Sequence, residues 1–380
     1  MFVGITIFLS SCATGKLYIN GSNLASSKEV AETPLYSLYA IGDAGEQNEQ
    51  ATAVLDALTK ETAKATAPGM VIFLGDNIYP AGLAVPSETE KRKYGEDVLK
   101  RQVEALKNYK GEIIFIPGNH DWNEFSAGGL EAIKREGEFL QGFGLPNLHL
   151  FPEDGCGGPY VKELTPHAVL LIVDSQWWIQ DWDKESKMNE GCVIKSREAM
   201  ITRLHALLQQ YHDRQILIAM HHPVESRGPH GGYFSFRDHV FPLSKLVDWL
   251  YIPLPVIGSI YPWTRQIVGI SQDENGVAYK ALEESLMTES ADHHIIFLAG
   301  HEHNLEYLQH QGHDVLISGA GSKQNPVADG KELRYGHKAA GFMKLDFYPK
   351  GGIEMSAFEV DVKGKSAELV YKARLREGKP

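Results

Sequence analysis

Five runs of apolar, β-prone residues stop abruptly at a polar group: LYSLYAI before Asp43, MVIFL before Asp76, IIFI before Asn119, ILIAM before His221 and HIIFLA before His301. An unbroken apolar run of this length predicts a strand buried on both faces, which delivers the side chains that follow at its C-terminal edge. Between these runs the apolar spacing lengthens to the helical period, at about 47–64, 87–108, 127–142, 196–211 and 275–288. In the fourth of these, Met200, Ile201, Leu204, Leu207, Leu208 and Tyr211 make one apolar face. Further strands are predicted at 168–174, 314–318, 342–348 and 353–360, and no internal repeat is evident.

The strand ends carry the candidate chemistry: IGDAG, LGDNIYP, PGNHDW, MHHP and AGHEHN. Ligands collect at this edge in open α/β sheets. Taken singly, Gly-Asp after a strand is ordinary turn chemistry and a lone histidine is ordinary core. Five such ends in one chain are a different matter. Two adjacent metal ions sharing one bridging carboxylate need roughly three further protein ligands each, with positions left for water and substrate. Asp43, Asp76, Tyr79, Asn119, His221, His301 and His303 supply that number. On an extended segment residues i and i+2 point the same way, so His301 and His303 can each reach one of two neighbouring ions.

The order GDAG, GDNIY, GNHD, a strand ending in histidine, and GHEH resembles the calcineurin-like metallophosphoesterases from about residue 36 to residue 320. The GDxxY form is similar to the purple acid phosphatase branch in particular. The Val-Asp-Arg-Gly continuation of the protein phosphatases is absent, since Ile78, Tyr79, Pro80 and Ala81 follow Asn77. Together with the strand and helix pattern, the resemblance implies an α/β (α+β) fold, a four-layer αββα sandwich of two mixed sheets flanked by helices. It implies Fe(III) on Asp43, Tyr79 and His303, a second metal (Fe(II), Zn or Mn) on Asn119, His221 and His301, and Asp76 as the bridge. His120 is then expected to contact the phosphoryl oxygen or protonate the leaving group. Asp121 either orients the His120 ring or caps a following helix. A second imidazole is expected from His222, His230 or His239, ranked in that order, with His239, His293, His294, His310 and His313 read as surface residues. The activity implied is phosphoric ester hydrolysis, with metal-bound hydroxide attacking the phosphorus of a phosphomonoester. The alternatives are a phosphodiesterase or nucleotidase on the same ligands, and an inactive envelope-anchored binding or scaffold protein.

Charge and the termini add a setting. A net charge of −12 over 380 residues argues against a nucleic-acid scaffold role or non-specific binding to an anionic membrane. Residues 2–9, FVGITIFL, are too short an apolar run to span a bilayer, and the LSSC that ends at Cys12 resembles a bacterial lipobox. Residues 1–11 are therefore expected to be a signal peptide, Cys12 a lipid anchor, 12–33 a tether and 34–380 one domain. The expected address is the cell envelope, facing periplasm or exterior, with a secreted soluble form as the alternative. In an oxidising compartment the remaining pair, Cys156 and Cys192, suggests a disulfide. Two segments look added: QWWIQDWDKE at 176–185, a candidate aromatic wall for substrate, and the Pro- and Gly-rich stretch 223–272. The second is expected to be a lid, with a membrane-facing or partner-docking surface and simple packing on the flank as alternatives.

Overall fold

The computed structural model describes residues 12–23, 32–124, 126–185, 187–241, 259–267, 270–364 and 366–378. In chain order the strands begin with β1 (Tyr18–Ile19), β2 (Tyr36–Ile41), β3 (Gly69–Phe73), β4 (Glu112–Phe115), β5 (Leu148–Leu150), β6 (Tyr160–Thr165), β7 (Ala168–Ile172) and β8 (Gln215–Ala219). They continue with β9 (Ile295–Ala299), β10 (Leu305–His310), β11 (His313–Ser318), β12 (Leu333–His337), β13 (Gly341–Phe347), β14 (Ile353–Asp361) and β15 (Ser366–Arg376). The helices are α1 (Glu49–Ala63), α2 (Thr89–Ala105), α3 (Gly129–Gln141), α4 (Ser175–Ile179), α5 (Arg197–Gln210), α6 (Phe236–Val240), α7 (Ile260–Ile267) and α8 (Val277–Ser290). The five helices expected from apolar spacing all form. Short polar side chains start two of them, Asn48 accepting from Ala51 N at α1 and Ser196 from Ala199 N at α5.

Two mixed sheets result, ordered β1-β12-β10-β11-β9-β8-β7-β6 and β15-β14-β13-β2-β3-β4-β5. The expected sandwich of two mixed sheets flanked by helices is therefore present. Strands β2, β3, β4 and β5 run parallel to one another, as do β7, β8, β9 and β11, whereas β13 pairs antiparallel with β2, β6 with β7 and β10 with β11. Side-chain alternation explains the unbroken apolar runs. Leu38, Ala40, Met70 and Ile72 cluster with Leu217, Ala219, Ile296 and Leu298 of the opposite sheet. Their neighbours Tyr39, Ile41, Val71 and Phe73 join Val54 and Leu58 of α1 and Leu99 and Val103 of α2. Both faces are dry, and each Leu or Ile so buried contributes roughly 1.5–3 kcal/mol. Consequently the C-terminal ends of β2, β3 and β4 in one sheet and of β8 and β9 in the other carry all the candidate ligands.

Residues 1–11 lie outside the described residues, as do 24–31. The expected tether does not begin at residue 12. Ala13 is buried and donates its N–H to Phe234 O at 3.2 Å, Thr14 and Val327 exchange backbone hydrogen bonds, and β1 pairs with β12. Within 223–272, residues 242–258, 268 and 269 are outside the described residues, and the remainder forms α6, α7 and flanking loops.

The aromatic wall does not form. Trp177 and Trp178 are buried in the core, with Trp177 Nε1 donating to Asn189 Oδ1 at 2.7 Å. Their apolar area finds the helical layer instead of solvent. His310 and His313, read as surface residues, are also buried, because β10 and β11 carry them into the sheet. Cys156 and Cys192 are bonded, with Cα atoms 5.6 Å apart across 36 residues. On the chain-entropy estimate a loop of this size is worth about 4 kcal/mol. Thermal melts with and without reductant are expected to show a large fall in Tm on reduction, and coincident melts would contradict it.

Candidate metal centre

Backbone geometry brings the strand ends into contact. Asp43, Asp76 and His301 all adopt positive φ, at 57°, 53° and 68°. Such conformations are uncommon outside glycine and concentrate where a site over-determines the backbone. Glycines clear the space between. A Cβ at Gly75 would lie 2.6 Å from His221 Nδ1, and one at Gly118 would lie 2.3 Å from Asp76 N.

The seven candidate ligands gather and divide into two groups of donor atoms. In the first, Tyr79 Oη is 2.9 Å from Asp43 Oδ1, 2.8 Å from Asp76 Oδ2 and 3.1 Å from His303 Nε2. In the second, His221 Nε2 lies 2.9 Å from Asn119 Oδ1 and 3.5 Å from Asp76 Oδ1, while His301 Nδ1 lies 3.2 Å from Asn119 Oδ1 and 3.3 Å from His221 Nε2. Asp76 presents one oxygen to each group.

The donor set fits cations. His221 Nδ1 faces Leu74 O at 2.7 Å and His301 Nε2 faces Gln272 O at 2.8 Å. Each of those nitrogens must carry the proton, because a carbonyl can only accept. With both rings in the neutral, ligating form, His221 Nε2, His301 Nδ1 and Asn119 Oδ1 are three lone-pair acceptors crowded together with no hydrogen between them. A cation resolves that arrangement, and the outward N–H donations fix each ring for ligation.

Electrostatics agree. Burial, joined by the charges of other histidines, holds His301 well below its ordinary pKa, and burial together with Lys323 brings His303 down to about 3. Neutral imidazoles are the ligating form. Burial pushes Asp43 up to about 7, with Asp76 adding to the rise. For Asp76, burial is outweighed by His221 and His120, which lower it and keep the carboxylate ionised. Burial, then Asp43 and Asp76, hold the Tyr79 phenol well above its usual range.

The outer residues are arranged differently from the sequence expectations. His120 sits at the mouth, its side chain 18 % exposed, its ring against Tyr79 and its Nε2 3.8 Å from Asp76 Oδ2. Asp121 neither orients that ring nor caps a helix. Its carboxylate accepts from the backbone N–H groups of Gly118, Asn77 and Ile78, while His120 Nδ1 meets Pro80 O and Nε2 meets Glu124 Oε1. The following helix, α3, begins only after Gly128. Asn77 Nδ2 joins Asp121 to Glu136, whose carboxyl burial lifts to about 8.

The candidates for a second imidazole sit in different surroundings. His222 is fully buried with both ring nitrogens occupied, Nδ1 by Ser175 Oγ at 2.8 Å and Nε2 by Gln272 Oε1 at 2.6 Å. His230 is partly exposed, with its ring 4.1 Å from that of His301 and its Nδ1 held by Asp273 at 3.1 Å. His239 meets Ser259 Oγ at 3.2 Å and makes no described contact with the ligands.

The sequence does not point to Glu124, Gln272, Asp273, Lys323 or Asn325, the last of which meets His303 Nδ1 with its Nδ2 at 3.2 Å. Glu124 lies four residues beyond His120 and carries a faint signal by that spacing. The others reach the site across long sequence separations and carry none.

A family model of calcineurin-like phosphoesterases matches residues 36–319. A search of curated proteins found no match. Among solved structures, one described as "GAP50 the anchor in the inner membrane complex of Plasmodium" is similar at a TM-score of 0.58 and 15% identity, covering 90% of this chain and 89% of that chain. At that identity the likeness is one of fold.

Proposed function

This chain belongs to the calcineurin-like phosphoesterase family and is a metal-dependent hydrolase of phosphoric esters, and on that premise we propose that it is a phosphomonoesterase of the purple acid phosphatase kind. The observation that carries the reading is Tyr79 Oη, buried among Asp43, Asp76 and His303. Its surroundings oppose ionisation of the phenol, and a strongly acidic cation would favour the phenolate. Ferric iron fits that requirement better than zinc or manganese. Asp43, Asp76, Tyr79 and His303 would hold it, and Asp76, Asn119, His221 and His301 would hold a divalent partner. When bound, such a pair supplies Lewis acidity and a nucleophile from water near neutral pH.

The chain's own residues do the rest. Gln272 O and Leu74 O keep His301 and His221 turned toward the centre. His120 is placed to hydrogen-bond the phosphoryl group and to pass a proton to the leaving oxygen, with Glu124 holding its ring. His230, steadied by Asp273, is placed to meet the phosphoryl group from the other side. A cavity of about 1030 Å³, lined by Tyr79, Pro80, Val85 and Tyr94 among others, opens beside the centre. It has room for an organic leaving group.

The address belongs to the same proposal. Cys12 would be the lipidated first residue of an envelope protein, and the Cys156–Cys192 disulfide supports an oxidising compartment. Among the described residues no helix is long and apolar enough to cross a membrane.

Kinetics on aryl monoester and diester phosphates, with metal analysis and a visible spectrum, test the reading. A monoester preference is expected, with a visible band that Tyr79→Phe removes. A colourless, fully active zinc or manganese enzyme would overturn the ferric part, and a diester preference would overturn the monoester part.

A further inference from the structure

Beside the ligands stands a cation to which the proposed function gives no part in catalysis or binding. Lys323 Nζ lies 3.2 Å from the centre of the Tyr79 ring and 3.1 Å from Glu46 Oε1, with its side chain 29 % exposed. Its loop is pinned from behind. Gln50 Nε2 donates to Lys323 O at 2.9 Å, Asn48 Nδ2 donates to Ser322 O at 2.8 Å, and Ser322 Oγ donates to Asp43 O. The ammonium is therefore held above the face of the same phenol whose oxygen touches Asp43, Asp76 and His303. Attraction to the ring face places it there and leaves hydrogens free for another acceptor. His120 packs on the same tyrosine ring, also partly exposed. Tyr79 thus carries the Lys323 ammonium and the His120 imidazole against its ring at the edge of the centre.

Glu46 explains how the ammonium is kept without a substrate. It follows Gly45 directly, its Oε2 accepts from Asn48 Nδ2 at 3.1 Å, and its backbone carbonyl is held by Arg101. The pair is half-open to solvent, where an ion pair of this kind is worth little. A phosphoryl dianion entering beside Tyr79 offers the ammonium a stronger, charge-assisted partner.

We propose that Lys323 is a substrate-binding residue that grips a non-bridging oxygen of the phosphoryl group, with Glu46 as its competing partner in the empty site. The proposal rests on the phosphatase reading for its substrate, and it concerns binding of the anion, so orthophosphate alone can test it.

Three substitutions separate it from a structural role. Lys323→Met is expected to raise both KM for an aryl phosphate and the inhibition constant of orthophosphate by about tenfold, as loss of one charge-assisted hydrogen bond implies. The loss in kcat/KM should be carried mainly by KM, and Lys323→Arg should restore most of it. Glu46→Gln frees the ammonium and should move both constants the other way, severalfold. An unchanged orthophosphate constant in Lys323→Met, or a loss confined to kcat, would mean that Lys323 merely seats Tyr79 and would overturn the proposal. Weaker binding in Glu46→Gln would do the same. If the wild-type protein hydrolyses no ester, calorimetric titration with orthophosphate still decides the matter, so the two readings fail separately.

Discussion

Replacing Asp76 with asparagine is expected to reduce phosphate-ester turnover by about a thousandfold or more, equivalent to roughly 4 kcal/mol or more of transition-state stabilisation. Asp76 alone presents an oxygen to each donor group, Oδ2 at 2.8 Å from Tyr79 Oη and Oδ1 at 3.5 Å from His221 Nε2. Asparagine has the same shape and neither the charge nor the second acceptor. Its NH2 would donate into one group and hydrogen-bond a lone pair needed for a cation. The backbone N–H of His120, which now reaches Asp76 Oδ1 at 3.0 Å, keeps an acceptor if the amide oxygen takes that position. Fold and melting behaviour should therefore survive while bound metal falls. Metal content, circular dichroism and aryl phosphate hydrolysis on the same preparation check this. Near-normal turnover with metal depleted would refute the metal-dependent assignment of this site.

Asp121→Ala is expected to damage stability and activity together. The carboxylate accepts from Gly118 N at 2.8 Å, Asn77 N at 3.0 Å and Ile78 N at 3.1 Å, all in a buried setting. These groups begin the turns that carry Asp76, Tyr79, Asn119 and His120. Each buried N–H left without a partner costs about 1–3 kcal/mol, and the three share one neighbourhood, so a total of roughly 3–5 kcal/mol is expected. Denaturant unfolding measures it. Asp121→Asn keeps one acceptor and should fall between wild type and Ala in both stability and turnover. A stable Asp121→Ala protein with normal kcat would show that the strand ends hold their geometry without this clamp.

The same residue shows where sequence reasoning reaches its limit. In the string GNHDW, Asp121 lies next to His120, and adjacency suggests that it steers the imidazole. In the fold its side chain turns inward to the backbone of the preceding strand end, forty-four positions back at Asn77. His120 is steered instead by Pro80 O and Glu124. His222 and His230 differ for the same reason. Nothing local distinguishes them, yet Gln272, fifty residues beyond His222, occupies one of its nitrogens and leaves His230 as the accessible ring. The tryptophans at 177 and 178 read as a wall because aromatics near a strand end can be either wall or core. Helix α4, begun by Asp174 accepting from Trp177 N, turns both indoles into the core.

Much of the architecture was legible because it rests on local periodicity. Both faces of the central strands are dry, so their sequences are unbroken apolar runs, and a helix with one buried face must repeat its apolar residues near every third or fourth position. The ligand types were legible because metal ions demand particular atoms, and those atoms follow the strands that deliver them. What only the tertiary structure decided is how separate strand ends meet. Two sheets bring Asp43 and Asp76 against His303 and Tyr79, and Asn119 against His221 and His301. Lys323 and Gln272 arrive from loops that carry no motif. Apart from Asp76 and Tyr79, which share one turn, those contacts join residues dozens to hundreds of positions apart, and their geometry is set by sheet order and core packing, which no window of sequence contains.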